Sequence, residues 1–168
     1  MTINIKNVLE PSIRDLIINA SGLSGDNVIF YHPNAPRPSF PYATINYLAT
    51  SKNINDWQTM NTDTGLLELF GIRDMTYSVK FYGEGAFDLA NKVQSHMFLN
   101  TNRQALYNGS GTSILRAKSV MNDYQLVNSR FEERSVLDIV FNVAFENGEV
   151  TEDVGYFDQV EVIWENKP

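Results

Sequence analysis

The sequence predicts an α+β fold: a mixed, mostly antiparallel β-sheet with two main helices packed on it, in a single domain over residues 1–168. Three observations carry this. Leu137, Ile139, Phe141, Val143 and Phe145 alternate with Asp138, Val140, Asn142 and Ala144, the two-residue period of a strand with one buried face. Met75, Tyr77, Val79 and Phe81 alternate in the same way with Thr76, Ser78 and Lys80, so residues 129–145 and 75–81 read as long neighbouring strands, the first of them central. Ile5, Val8, Leu9, Ile13, Leu16 and Ile17 recur instead at three- and four-residue spacing, which is helical.

A chain of 168 residues with 43% hydrophobic content is long enough to build its own core. With no cysteine, disulfides, thiolate metal sites and thiol nucleophiles are excluded, and folding in a reducing compartment is expected. No apolar run approaches the roughly 20 residues of a membrane span, and residues 1–22 lack an unbroken apolar leader, so a mature cytosolic chain with no membrane partner is expected. Thirteen basic against 20 acidic residues give a formal net charge of -7. Such a surface repels phosphate backbones, which argues against a dedicated nucleic-acid binder.

Taken in order, the first helix ends where Gly22 can adopt a left-handed conformation, and Pro11 either starts it near Glu10 or kinks it. Residues 28–31 form a short strand. HPNAPRPSFPY holds Pro33, Pro36, Pro38 and Pro41, a stiff extended strap suited to a sheet edge and more plausible as structure than as a ligand for a proline-reading module. Residues 42–50 alternate as a strand, with Ala43, Ile45, Tyr47 and Ala49 on one side. Residues 51–65 are polar and aperiodic, a long loop or an extended hairpin tip.

The second long strand occupies residues 66–82, with a break expected at Gly71. A Gly83, Glu84, Gly85 turn leads into a helix over residues 86–99, whose buried stripe is Phe87, Ala90, Val93 and Met97. A short helical turn is expected at 102–107, a flexible turn at 108–113, a strand at 114–120 and irregular or strand structure at 121–128. After the central strand come an acidic turn at 146–155 and a closing strand at 157–164.

The search for chemistry finds little. The glycine turn before a helix invites a phosphate, but Glu84 and Asp88 already place negative charge there, where it complements the helix dipole. His32 and His96 have no second histidine at ligand spacing and read as surface residues. Glu132 with Glu133, and Glu152 with Asp153, are adjacent pairs that point to opposite faces of a strand rather than converging on a cleft. No catalytic residue, metal ligand or cofactor is expected. Trp57, in the polar 51–65 stretch, and Trp164 are candidate interface anchors.

Several stretches in succession resemble the neck and tail terminator proteins of tailed bacteriophages. They are the N-terminal helix, PRPSFPYATINY at 36–47, TYSVKFYGEGAFDLANKV at 76–93, RFEERSVLDIVFNVAF at 130–145, the acidic turn and the VEVIW strand. The matching positions are Pro36, Arg37, Pro38, Pro41 and Tyr42 in the strap, Phe81, Tyr82, Gly83 and Gly85 at the strand-helix turn, and Arg130 and Arg134 before the central strand. Residues 51–65 have no match.

The resemblance implies a ring-forming structural virion protein of the neck, assembled in the host cytoplasm, without catalysis or cofactor. Its implied partners are copies of itself in a hexamer, the tail tube protein, a head-side connector or stopper, and genome DNA passing through the lumen without specific binding. Six copies at -7 each would carry a formal charge of about -42, and acidic residues on the inner wall would keep that DNA from adhering. The alternatives are a head-side stopper or a baseplate component, and then a small ligand-binding module or hydrolase, for which the sequence offers no convergent polar set.

Overall fold

The computed structural model of the protein describes residues 5–32, 34, 36–52, 57–60, 67–127 and 129–150. The two alternating stretches become its longest strands, β4 (Leu67–Tyr82) and β9 (Arg134–Val150), and they pair antiparallel from Tyr82↔Arg134 to Leu67↔Val150. Strand β2 (Tyr42–Lys52) pairs antiparallel with the other side of β4, and β1 (Val28–Phe30) lies parallel to β2 at the edge. On the far side, β5 (Ser113–Ala117) and the two-residue β6 (Met121–Asn122) pair with β9. The order is β1-β2-β4-β9-β5, with β3 (Trp57–Met60) beside the distal end of β4. A separate two-stranded hairpin, β7 (Gln125–Val127) and β8 (Arg130–Glu132), projects beside the start of β9. The sheet is thus mixed and mostly antiparallel.

Three helices lie on one face: α1 (Ile5–Ser21), α2 (Ala86–His96) and α3 (Asn100–Ser110), with α1 packed against both others. Leu9, Ile13, Leu16, Ile17 and Ala20 of α1 meet Ala43, Ile45, Tyr77, Val79, Phe81, Leu137, Ile139, Phe141 and Val143 from the sheet. Each fully buried aliphatic or aromatic side chain contributes about 1.5–3 kcal/mol, so the inward rows of β4 and β9 anchor the fold. Pro11 sits inside α1, and Gly22 ends it, with φ +79° and its N–H on the Ile18 carbonyl at 2.8 Å. Arg14 ties α1 to the edge of the sheet by donating to the Val28 and Gly25 carbonyls at 2.9 and 2.6 Å.

Several expectations are corrected. Gly85 is the N-cap of α2, so the buried stripe runs Ala86, Ala90, Val93, Met97, and Phe87 turns outward at 38% exposure. Val8 is likewise exposed, one position off the buried stripe of α1. The ladder does not break at Gly71, which pairs with Phe145; the irregularity lies between Glu68 and Phe70. The first half of the turn expected at 108–113 is helix, because α3 runs to Ser110. Gly109 permits the close approach of α1 and α3, since a Cβ there would sit 2.8 Å from the Ser12 hydroxyl. Residues 146–150 of the expected acidic turn continue β9, with Glu149 paired to Glu68. The rest of that turn, the closing strand at 157–164 and Trp164 lie outside the described residues.

Candidate interaction site at the strap end of the sheet

At the end of the sheet where β2 and β9 begin and β4 ends, register places Tyr42, Tyr82 and Arg134 side by side on three strands. All three point away from the helices, because their sequence neighbours Ala43, Phe81 and Ser135 face the core. The Tyr42 and Tyr82 rings stack with centroids 4.5 Å apart and planes 9° from parallel. Arg134 caps the stack, its guanidinium carbon 5.2 Å from the Tyr82 ring centre, a cation-π arrangement. On the other side Phe40 stacks on Tyr42 at 5.5 Å. Phe40 also closes over Gly83, where a Cβ would lie 3.1 Å from the Phe40 ring and where φ is +105°. Position 83 is thus restricted to glycine on two grounds.

The strap crosses this platform and makes a cleft of about 310 Å³, lined by Pro36, Arg37 and Pro38 on one side and Tyr42, Lys80, Tyr82 and Arg134 on the other. Glu132 is shared between two cations: Arg134 donates from Nε to its Oε1 at 2.8 Å, and Arg37 from Nη1 to its Oε2 at 3.4 Å. Arg134 also donates from Nη1 to the side-chain amide oxygen Oε1 of Gln125 in β7, linking the hairpin to this end of the sheet. The strap's base is pinned by Asn27, whose side-chain amide donates to the Pro41 carbonyl at 3.0 Å. Burial raises the pKa of the Tyr42 phenol; Arg37 and Arg134 pull it down, while Tyr82 and Glu132 push it further up.

Six of the residues singled out in the sequence therefore meet in one cleft: Pro36, Arg37, Pro38, Tyr42, Tyr82 and Arg134. Pro41 and Gly83 support its floor through Asn27 and Phe40. Gly85 is outside the cleft and caps α2; its N–H donates to the Glu133 carboxylate at 3.0 Å, as the Phe87 N–H does at 3.3 Å. The helix N-terminus is thus held by the protein's own carboxylate, and it is Glu133 rather than Glu84 or Asp88 that fills it. Arg130 lies on β8, away from the cleft, beside the paired and exposed Leu126 and Phe131 at 64% and 78%. Trp57 is at the distal arm of the sheet, 48% exposed and stacked on Phe70 at 6.1 Å.

Lys80 and Glu132 complete the cleft but were not among the site residues chosen from the sequence. Alternation puts Lys80 and Tyr82 on one face, yet only the β2-β4 register shows that this face meets the strap. A second hollow of about 450 Å³, between the start of α3 and β5, holds one cation, Arg103, and is lined otherwise by neutral residues such as Gln104 and Tyr107. Among the described residues no group of three or more His, Asp or Glu side chains is placed to hold a metal ion. Among them, too, no helix is long and apolar enough to cross a membrane.

Fold and cleft together give a sheet backed by helices on one face, crossed at one end by a proline strap over a cleft lined by Arg37, Lys80 and Arg134, with one separate hairpin beside it. A family model for phage neck terminator proteins matches residues 7–167, and the chain belongs to that family. It is a structural, non-enzymatic component of the virion neck. Among solved structures it is similar to a chain from the "Virion of native gene transfer agent (GTA) particle", with TM-score 0.38 and 11% identity over 86% of this chain and 99% of that one. A likeness of that degree leaves the functional reading to the family. No curated protein gives a significant match.

Proposed function

We propose that the protein, acting as one domain over residues 1–168, assembles as a homohexameric ring on the head-proximal end of the tail tube. There the ring ends tube polymerisation and provides the face on which the head-side connector or stopper docks. Genome DNA passes through its lumen without specific binding.

The observation that carries this reading beyond the family match is the β7-β8 hairpin. Leu126 and Phe131 face each other across its two strands with most of their surface in water, and Tyr124 and Met121 next to them are more than half exposed. Hydrophobic side chains of this size on a projecting element mark a protein contact, and burying the Leu126-Phe131 pair contributes about 3–5 kcal/mol per interface. A closed ring needs one surface to meet a different surface of the next copy, and a hairpin that projects from one side of the sheet supplies such a surface.

Solution mass measured with and without purified tail tubes tests the proposal. Six copies of a 19.1 kDa chain give a species of about 115 kDa, alone or templated on the tube. A chain that neither self-associates nor attaches to tubes contradicts it. Attachment to the head portal without tubes would instead indicate a stopper, and attachment to the distal tail end a baseplate component.

A further inference from the structure

The cleft gathers Arg37, Lys80 and Arg134 in a chain whose net charge is -7. Glu132 answers Arg37 and Arg134 together, and no described residue forms an ion pair with Lys80. The cleft is therefore a positive site on an acidic protein, and its remaining lining of Tyr31, Tyr42, Tyr82, Pro36 and Pro38 suits aromatic or extended peptide groups.

We propose that this cleft receives the acidic segment 151–168 of a neighbouring copy, an inference that rests on the ring reading above. The chemistry of the segment fits. It holds Glu152, Asp153, Asp158, Glu161 and Glu165 against one base, Lys167, and interleaves them with Tyr156, Phe157 and Trp164. Carboxylates meet the guanidinium and ammonium groups, and the aromatic side chains meet the tyrosine and proline walls.

For the carboxylates up to Glu161, reach separates a neighbour from the same subunit. Strand β9 starts beside the cleft at Arg134 and ends at Val150, about 50 Å away along a strand that rises about 3.3 Å per residue. Beyond Val150 an extended chain gains at most about 3.5 Å per residue, so Asp158 and Glu161 reach back about 30 and 40 Å and stop short of their own cleft, which only the last few residues, from about Trp164 on, could reach. A neighbour's cleft is not subject to that limit. One end of each subunit then meets the opposite end of the next, the heterologous contact that closes a ring. DNA fits the cleft less well, because a phosphate track needs a stripe of cations, whereas these three sit in a walled pocket shared with Glu132.

The absence of cysteine makes the test direct. Full-length Tyr31→Cys, which marks the cleft wall and leaves its cations intact, is mixed with full-length Gln159→Cys under conditions where wild-type rings form, and oxidised. The expected result is a disulfide-linked dimer containing one of each chain, absent when either variant is oxidised alone. In a parallel series, Arg37→Glu with Lys80→Glu, and separately Asp158→Lys with Glu161→Lys, each raise the concentration at half-assembly about tenfold or more. Combining all four substitutions restores it to within about threefold of wild type.

Wild-type rings without the mixed disulfide, or with no recovery in the combined variant, overturn the proposal and leave the ring reading intact. A disulfide formed within one dilute chain carrying both cysteines overturns it in favour of the subunit's own cleft. Wild-type binding of labelled duplex DNA that is lost on Arg37→Glu with Lys80→Glu, while assembly is unchanged, overturns it in favour of DNA. Failure of the wild type to form rings, alone or on tubes, is read independently by mass and sinks both readings.

Discussion

Replacing Tyr77 by Phe should make the protein more stable. Tyr77 sits in the middle of β4 at 0% exposure, edge-on to the rings of Tyr47 at 5.5 Å and Phe141 at 5.9 Å. Its hydroxyl is buried and has no hydrogen-bond partner among the described residues. Phe keeps both edge contacts and removes a group that gave up water without replacement, a cost of about 1–3 kcal/mol. The small void left by one oxygen returns about 0.5 kcal/mol of that. The net expectation at neutral pH is a gain of about 1 kcal/mol in urea unfolding.

Alkaline pH supplies a second arm to the same experiment. Burial, then the Glu10 carboxylate, then Tyr47 raise the Tyr77 phenol pKa above its ordinary value. The folded state therefore keeps a proton that the unfolded phenol releases above about pH 10. That contribution is fully present below the unfolded pKa and is lost as pH rises toward the folded one, with a slope of up to about 1.4 kcal/mol per pH unit. The Phe variant lacks this loss, so its advantage widens between pH 9 and pH 11; Tyr42, also raised, titrates in both proteins and cancels. A Phe variant less stable than wild type at pH 7, or one with an unchanged alkaline slope, would refute the reasoning.

Other consequences follow from the strap end and the hairpin. Gly83→Ala forces a Cβ against Phe40 at a backbone angle that disfavours it; a loss of about 1–3 kcal/mol is expected, read as a drop in Tm, and an unchanged Tm counts against the packing described. Glu133→Ala removes the acceptor of the Gly85 and Phe87 N–H groups, with an expected cost of about 1–2 kcal/mol and faster hydrogen exchange at those two amides. Glu133→Gln should recover part of it by keeping one acceptor. Leu126→Lys with Phe131→Lys should leave the fold within about 0.5 kcal/mol, since both side chains face water, while abolishing self-association as seen by sedimentation.

The elements with one wet and one dry face were readable in the sequence. β4, β9, β2 and α1 carry their periodicity in residues such as Tyr77, Phe141, Ile45 and Ile13, each of which reaches the core. What could not be read was structure imposed by a partner. Residues 146–150 look like an acidic turn but remain strand because β4 supplies ladder partners for them. Residues 108–110 look like a turn but remain helix because α1 and α3 approach closely over Gly109. The strap half of the cleft was contiguous in sequence, so Pro36, Arg37, Pro38 and Tyr42 could be named together. Lys80, Tyr82 and Glu132 join it only through the pairing of β4 with β2 and β9 and through the Arg37-Glu132 contact between positions 95 residues apart.

Electron microscopy of assembled particles, with the chain carrying a small density label, tests the central claim most directly. The account predicts six labels in a ring at the head-proximal end of the tail tube, between the tube and the head-side connector. Labels at the distal tail end, or a different number of copies around the axis, would contradict it.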